Sequence, residues 1–350
     1  MRRVVVGCLA LALAAGAVAA WLVVRAAEPY QGYVGGEQFV EIPPGSGSRA
    51  IGDRLVAAGV IRDVWAYRVG LWRAGQARRL QAGEYRFGKP MTPLEVIDMI
   101  ARGEVYVVNV TFSEGLTIAE MARVADAHGF GPASAFVAAA RNPSAVVAID
   151  PAASDLEGYL FPDTYPLSRH TQPAALVSLM SARFRHVFTP ELQAATRARG
   201  WTPRQAVTLA SIVEKETARP DERPLVAAVY ENRLRIGMPL QCDPTVIFAL
   251  TRTGHYSGNL HKADLSLDSP YNTYRYGGLP PGPIAAPGRA SLEAVAHPAP
   301  VAFLYFVSRN DGSHAFARTL AEHNDNVHTW QVEYFQRRHA GQAGAAARPK

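Results

Sequence analysis

An uninterrupted apolar run opens the chain. Residues 4–24 (VVVGCLALALAAGAVAAWLVV) carry no charge, and a helix of that length, at about 1.5 Å per residue, spans the roughly 30 Å apolar core of a bilayer. Arg2 and Arg3 precede the run, so the positive-inside rule predicts that residues 1–3 are cytoplasmic and the remaining chain is exported. A cleaved signal peptide is the alternative, because 17–19 (AVA) has the small-x-small pattern of a cleavage site. The apolar run continues past that site, which favours a retained transmembrane helix.

Alternating and helix-period patterns follow the apolar run. Residues 25–38 are polar and glycine-rich, which predicts a spacer. The next segments predict a strand at 39–42, a helix that ends at Gly59, a strand at 80–87 and a helix at 93–102. A second strand–turn–helix unit begins at 108–112 and closes at Gly129. We therefore expect a small α+β module over residues 39–110.

A larger domain of mixed α/β character is expected over residues 111–338. Its clearest predicted elements are helices at 204–217 and 224–237 and a strand at 303–308. Residues 269–290, rich in proline, glycine and tyrosine, predict a long ordered loop of the kind that carries function. Residues 339–350 show no periodicity and are predicted to be disordered. The expected fold class is thus α+β, behind one transmembrane helix.

Length and composition narrow the function classes. A chain of 350 residues has room for about two domains. The net charge of +6 is spread along the chain, which argues against nucleic acid as a partner. Cys8 lies inside the apolar run, far from Cys242, so no disulfide is expected. Neither a metal nor a cofactor is expected, because the histidine spacings match no metal motif.

Glu214 is the first candidate for chemistry. On a helical wheel it shares one stripe with apolar and small residues: Val207, Ala210 and Ser211. Desolvation on such a stripe would raise the pKa of the carboxyl group, as a general acid requires. The alternative interpretation is structural, with Glu214 at the edge of the stripe and paired with an arginine.

The segment 156–167 (LEGYLFPDTYPL) offers a second carboxylate among aromatic rings. Glu157 and Tyr159 would suit a sugar-binding cleft, where rings stack on sugars and acids bind hydroxyl groups. The same alternation is typical of an ordinary half-buried strand, which the residues alone favour. The tyrosines at 271, 274 and 276 present the same choice.

Five blocks of sequence carry a resemblance. They are LEGYLFPDTYPL (156–167), LASIVEKET (209–217), NRLRIGMPLQCDPTVIFAL (232–250), SPYNTYRYGGLPPGPIAAPG (269–288) and HAFARTLAEHN (314–324). In this order, behind one membrane segment, they closely resemble the endolytic murein transglycosylase family, the YceG-like proteins. The resemblance covers most of residues 39–335.

The resemblance implies a single-pass lyase of the bacterial inner membrane, with a LysM-like module followed by a YceG-like catalytic domain on the periplasmic side. Its substrate would be nascent peptidoglycan, cut at the MurNAc–GlcNAc β-1,4 bond with 1,6-anhydroMurNAc formation, which would terminate strand elongation. Cell-wall synthases would be possible partners. The first glutamate of VEKET is the family's catalytic residue and corresponds to Glu214.

A substrate cleft is also implied. The resemblance implies that seven residues line it: Glu157, Gln241, Asp243, Asn272, Tyr274, Glu322 and Asn324. Tyr159, from the aromatic segment, is expected to line it as well. Two positions depart from the family pattern: Cys242 stands where serine or threonine is common, and Ala286 stands where asparagine or threonine is usual. Two rival functions remain at this point. One is a non-catalytic peptidoglycan-binding scaffold, and the other is a muramidase that uses water.

Overall fold

The computed structural model describes residues 2–336 and residue 338. The helices are α1 Arg2–Arg25, α2 Ser48–Ala57, α3 Val64–Ala74, α4 Pro93–Arg102, α5 Ile118–Ala127, α6 Ala133–Ala140, α7 Pro173–Val187, α8 Pro190–Ala198, α9 Pro203–Glu216, α10 Arg223–Arg235, α11 Asp243–Arg252, α12 Arg289–Ala296 and α13 Leu320–Val327. The strands are β1 Gln38–Ile42, β2 Gly83–Phe87, β3 Val108–Thr111, β4 Thr164–Leu167, β5 Tyr305–Ser308 and β6 His314–Ala317. They form three two-stranded sheets, β1–β2, β3–β4 and β5–β6. The disorder predicted for 339–350 lies outside the described residues.

The fold is mixed α/β with an apolar helix at its N-terminus, as the sequence predicted. Within α1, the segment Val5–Arg25 is long and apolar enough to cross a membrane. Most of its side chains are exposed. Its last residue is tied to the fold, because Arg25 Nε donates a 2.8 Å hydrogen bond to Asp63 Oδ2 at the start of α3.

Two compact units make up the chain. The first runs to Asn109 and includes Pro166–Arg169. Its antiparallel β1–β2 pair places Val40 opposite Tyr85, and α2 and α4 supply Leu55, Ile97 and other fully buried side chains to one core. A capping box fixes the start of α4, where Thr92 Oγ1 accepts from the Glu95 amide.

The segment expected to form a spacer, residues 25–38, is hydrogen-bonded to the rest of the first unit. The Tyr30 amide donates to the Met91 carbonyl at 2.9 Å, and the Gly32 amide donates to the Gly59 carbonyl at 2.8 Å. The Tyr33 hydroxyl donates to the Phe87 carbonyl at 3.0 Å. Polar, glycine-rich composition indicated a linker, but these groups are ordered by neighbours more than twenty residues away.

The second unit consists of Val110–Tyr165 and the chain from His170 onward. Helix α9 lies at its centre, where residues 206–213 are all buried. Helices α8, α10, α11 and α12 pack around it. A capping box between Thr202 and Gln205, followed by Pro203, starts α9. Because neighbouring helices cover α9, the residues near its C-terminus are held in fixed positions.

The segment 156–167 is not one strand. Only Thr164–Leu167 is extended, as β4, while residues 156–163 lie in turns and loop. Gly158 has φ of 81°, a left-handed conformation that a strand does not accommodate, and Pro162 cannot donate a ladder hydrogen bond. The strand interpretation is therefore wrong for the part that carries Glu157 and Tyr159.

Candidate active site

Glu214 lies in the last turn of α9, and its side chain is only 5% exposed. Its carboxyl group accepts three hydrogen bonds. Arg223 Nη2 donates to Oε1 at 2.7 Å. The Gly288 amide and Ser291 Oγ donate to Oε2 at 2.9 and 2.8 Å. The carboxyl group is therefore fixed at both oxygens by groups that are remote in sequence.

Helix termini supply these donors. Arg223 is the first residue of α10, Gly288 is the N-cap of α12, and Ser291 lies fully buried in the first turn of α12. Since α10 and α12 both pack against α9, their N-terminal ends meet Glu214. The free N–H groups at such ends favour negative charge.

Opposing influences set the protonation of Glu214. Burial raises the pKa of its carboxyl group, and the negative charge of Glu114 adds to that effect. The hydrogen bonds from Gly288 and Ser291 and the charge of Arg223 lower the same pKa. The net direction is upward, which favours the protonated carboxyl group that a general acid needs.

Four neighbours of Glu214 were not identified from the sequence: Glu114, Arg223, Gly288 and Ser291. Arg223 and Ser291 lie 9 and 77 residues further along the chain, and Glu114 lies on the turn before α5. Glu114 Oε2 accepts from Arg223 Nη2 at 3.1 Å. The alternative interpretation of Glu214 included an arginine partner, and such a partner is present. That interpretation placed Glu214 at the edge of the apolar stripe, whereas its side chain is strongly buried.

Glu157 lies on the turn at residues 157–159, and its carboxyl group contacts the first residue of α5. Both of its carboxyl oxygens accept from the Ile118 amide, at 3.1 and 3.3 Å. Burial raises the pKa of Glu157 to about 8, with Asp155 adding to the shift and the Ile118 hydrogen bond opposing it. Ile118 follows Glu114 by four residues in the chain, so the same short segment contacts both Glu157 and the surroundings of Glu214.

Tyr159 is a core residue, 1% exposed. Its hydroxyl group donates to Asp150 Oδ2 at 2.7 Å, and Phe184 packs edge-on against its ring with a centroid distance of 5.2 Å. The Arg204 guanidinium donates to the same Asp150 oxygen at 2.8 Å. Neither the ring nor the hydroxyl group is presented to a sugar, so the structure gives Tyr159 a packing position.

Four of the other predicted residues come together next to the start of α11. The backbone amide of Gln241 donates to the Thr273 carbonyl at 3.1 Å, and the Tyr274 hydroxyl donates to Asp243 Oδ1 at 2.5 Å. Asn272 is fully buried, where its Nδ2 donates to two carbonyls of the 265–267 turn and its Oδ1 accepts from the Tyr274 amide. Gln241 and Asp243 are exposed, whereas Asn272 organises the loop.

A buried layer underlies this group. Glu216 accepts from the Tyr230 hydroxyl at 2.6 Å and is hydrogen-bonded to the Cys242 thiol. Burial raises the pKa of Glu216 and the pKa of the Cys242 thiol. The Cys242 thiol is thus buried against two polar side chains, Glu216 and Tyr230.

The last two predicted residues lie on α13. Glu322 Oε2 accepts from the amides of Arg318 and Thr319 and so forms the capping box of this helix. Asn324 is exposed further along the same helix. Across residues 2–336 and 338, no group of three or more His, Cys, Asp or Glu side chains is placed to hold a metal ion.

The YceG-like family profile matches residues 40–329, a range that includes the whole surroundings of Glu214. The chain belongs to the YceG-like family. The resemblance found in the sequence is thereby confirmed.

Two relatives of this YceG-like protein are named endolytic murein transglycosylase. An endolytic murein transglycosylase of Bacillus subtilis is 31% identical over 303 residues, which cover 81% of this chain and 82% of the relative. One of Streptococcus pneumoniae is 29% identical over 82% of this chain but only 57% of its own length. A 2.6 Å crystal structure of a YceG-like protein from Listeria monocytogenes has 28% identity and a TM-score of 0.56, and covers 83% of this chain and 98% of the other.

Proposed function

We propose that this YceG-like protein is an endolytic lytic transglycosylase of peptidoglycan, with Glu214 as its catalytic acid and base. The names of its relatives support the reaction class. The observation that carries the assignment of Glu214 is its burial with a raised pKa inside a fixed set of donors. Its substrate is the MurNAc–GlcNAc β-1,4 bond of nascent glycan strands.

The reaction needs one carboxyl group that changes its protonation state twice. Protonated Glu214 gives its proton to the oxygen that leaves C1 of MurNAc, as the C1–O bond breaks and positive charge develops at C1. Ionised Glu214 then takes the proton of the C6 hydroxyl group as O6 bonds to C1 and closes the 1,6-anhydro ring. No water is consumed, and Glu214 ends protonated, ready for the next cycle.

The donors around Glu214 suit both halves of this cycle. Arg223, Ser291 and the Gly288 amide stabilise the carboxylate that forms when the proton leaves. Burial favours the protonated form that starts the reaction. Because the donors are held by helix ends, little reorganisation accompanies the change of charge.

Substrate contacts are assigned to the exposed members of the predicted set, apart from Glu322, whose carboxyl group caps α13. Gln241, Asp243 and Asn324 have exposed side chains, and Tyr274 is half-buried against Asp243. Such groups can bind sugar hydroxyl and acetamido groups. Glu157 lies beside the segment that contacts Glu214 and remains a candidate. Tyr159, Asn272 and Glu322 support the site through packing, loop and capping contacts.

The apolar helix α1 serves as a single-pass anchor in the inner membrane. Its N-terminus would be cytoplasmic and the catalytic domain periplasmic, as the arginines before the apolar run favour. The domain assignment that goes with this function is a LysM-like module over 39–110 and a catalytic domain over 111–338. In that setting, cleavage of nascent strands would terminate their elongation, next to cell-wall synthases.

Product analysis tests the reaction against its two rivals. The detergent-solubilised chain is incubated with uncrosslinked glycan strands, and the products are measured by mass spectrometry. A lyase yields 1,6-anhydroMurNAc ends. Reducing ends, which are heavier by one water, would instead show a muramidase, and intact strands would favour a binding scaffold.

A further inference from the structure

One cation serves two carboxyl groups at the candidate active site. Arg223 Nη2 lies 2.7 Å from Glu214 Oε1 and 3.1 Å from Glu114 Oε2. The Arg223 side chain is 8% exposed and the Glu214 side chain is 5% exposed, whereas Glu114 is 45% exposed. Glu114 therefore reaches the buried pair from the solvent side.

The backbone around Glu114 fixes its position. The Gly115 amide donates to the Ala286 carbonyl at 2.8 Å, and Lys215 Nζ donates to the Gly115 carbonyl at 3.1 Å. Gly288 leaves the space that Glu114 occupies, because a Cβ at Gly288 would overlap the Glu114 carboxyl group. The contact between Glu114 and Arg223 is therefore built into the loop rather than made by a free surface side chain.

Few charges face Glu214 directly. Arg223 comes from α10 and Glu114 from the turn before α5, while α12 contributes the uncharged Gly288 amide and Ser291. Lys215, the next residue on α9, is directed to Gly115. Other charged side chains on the surrounding elements have partners of their own: Arg289 with Glu293, Glu222 with His314, and Asp243 with Tyr274.

The charge balance of the three groups depends on Glu114. When Glu114 and Arg223 are ionised and Glu214 is protonated, the group is neutral. Ionisation of Glu214 then leaves a net charge of −1 in a largely buried place, which is unfavourable. Without the charge of Glu114, Arg223 and ionised Glu214 would form a neutral pair, and the ionised form of Glu214 would be favoured more than it is beside Glu114.

We propose that Glu114 is a positioning residue, which acts through Arg223 to keep the proton on Glu214 until the leaving sugar oxygen takes it. This role rests on the function proposed above for Glu214. Glu114 itself does not exchange a proton with the substrate. As Glu214 ionises, Arg223 is already in hydrogen-bonding distance and stabilises the new carboxylate.

Two substitutions separate this role from a structural one, because they move the pH profile in opposite directions. Glu114→Gln removes a negative charge, which lowers the pKa of Glu214 and moves the alkaline limb of the rate profile to lower pH. Arg223→Gln removes a positive charge, which raises the pKa of Glu214 and moves that limb to higher pH. A residue that only supports the fold would lower the rate equally at every pH.

The experiment measures formation of anhydro ends between about pH 5 and pH 9 with the full chain in detergent. On the alkaline side of the displaced limb, the rate of Glu114→Gln should fall about tenfold for every pH unit by which the limb has moved, and it should recover on acidification. Glu114→Asp keeps the charge and should lie between Glu114→Gln and wild type. Glu293→Gln removes an exposed charge on α12 and is the matched control, with an unmoved limb.

Each result supports or overturns the proposal. Limbs that move in opposite directions in E114Q and R223Q support it. Limbs that stay at the wild-type position, or that move in E293Q as they do in E114Q, overturn it while leaving Glu214 as the acid. Melting curves identify a variant that fails to fold, and in that case the E114D and R223Q limbs decide. A wild-type chain that makes no anhydro ends would instead contradict the proposed function.

Discussion

At Glu214, three donors act on a carboxyl group that burial makes harder to ionise. Glu157 is in a different situation, because among the described residues only the Ile118 amide donates a hydrogen bond to its carboxyl group. The two carboxyl groups thus differ in how well their ionised forms are stabilised. That difference favours Glu214 for a cycle in which the carboxylate must form and be reprotonated, and it makes Glu157 a source of pH-dependent instability.

Replacement of Glu157 by glutamine should stabilise the fold at higher pH. The pKa of Glu157 is raised to about 8 in the fold from an ordinary value near 4.5, so the folded protein binds more protons than the unfolded chain between these values. The contribution of Glu157 to the free energy of unfolding is therefore fully present below about pH 4.5 and is lost as the pH rises through about 8.

The measurement is thermal unfolding of wild type and Glu157→Gln across that range. The difference in melting temperature should grow from pH 5 toward about pH 8, because glutamine has no charge to bury and its oxygen can still accept from Ile118. A constant difference across the range would show that Glu157 does not ionise in this window.

Tyr159 tests the distinction between packing and substrate binding. Tyr159→Phe removes the hydroxyl donor to the buried carboxylate of Asp150, so the free energy of unfolding should fall by about 1–3 kcal/mol. KM for glycan should not change, since the side chain is 1% exposed. Denaturant unfolding and steady-state kinetics measure the two quantities, and a raised KM with unchanged stability would place Tyr159 in the cleft.

Among the elements, α9 has the greatest effect on the site, because its C-terminal turn carries Glu214. Its start is fixed at the other end by the Thr202 and Gln205 capping box. Thr202→Ala should lower the free energy of unfolding by about 1 kcal/mol. The rate constant of cleavage should stay unchanged, since Thr202 lies roughly 18 Å along the helix axis from Glu214.

Denaturant unfolding checks this expectation. Thr251→Ala is a suitable control, because Thr251 is an exposed threonine inside α11 whose hydroxyl group bonds only back to Ile247 within the same helix among the described contacts. If Thr202→Ala were as stable as that control, the capping box would contribute nothing to α9. If its rate constant fell, the two ends of the helix would be coupled.

Helices with a clear periodicity of apolar residues were predictable from the sequence. The helix expected at 93–102 is α4 with the same bounds, and the helix expected at 204–217 is α9 to within one residue at each end. Helix α3 was not predicted, because Trp65 and Trp72 on its exposed side obscure the apolar stripe. The strand expected at 80–87 is shortened to Gly83–Phe87, where Gly83 has φ of 147°.

Residues of the candidate site were predictable only where the periodicity of apolar residues along a helix indicates a buried position. Glu214 was identified because its stripe on α9 predicts contact with the core. Arg223, Ser291 and Glu114 approach it through helix packing and loop pairing, which no local period encodes. The buried position of Tyr159 was not predictable for a similar reason, since aromatic residues beside acids are typical of a core as well as of a sugar-binding cleft.

At the scale of the whole molecule, the residues of the proposed active site lie in one of the two units. Glu114, Glu214, Arg223, Gly288 and Ser291 all lie in the second unit, which comprises Val110–Tyr165 and the chain from His170 onward. Division of the length by a typical domain size suggested two domains, but it did not indicate which unit would hold the site. We expect the net charge of +6 to suit an acidic cell-wall polymer and anionic lipid better than nucleic acid.

The most direct test of the account is cleavage of uncrosslinked glycan by wild type and Glu214→Gln, with anhydro ends counted by mass spectrometry. Glutamine keeps the oxygen that accepts from Gly288 and Ser291 but cannot donate a proton as an acid. The fold should remain, as judged by the melting temperature, and the rate should fall by about 10²–10⁴-fold or more. Glu293→Gln, whose exposed carboxylate pairs with Arg289, controls for the loss of a carboxylate. A folded Glu214→Gln protein that forms anhydro ends at near the wild-type rate would contradict the account.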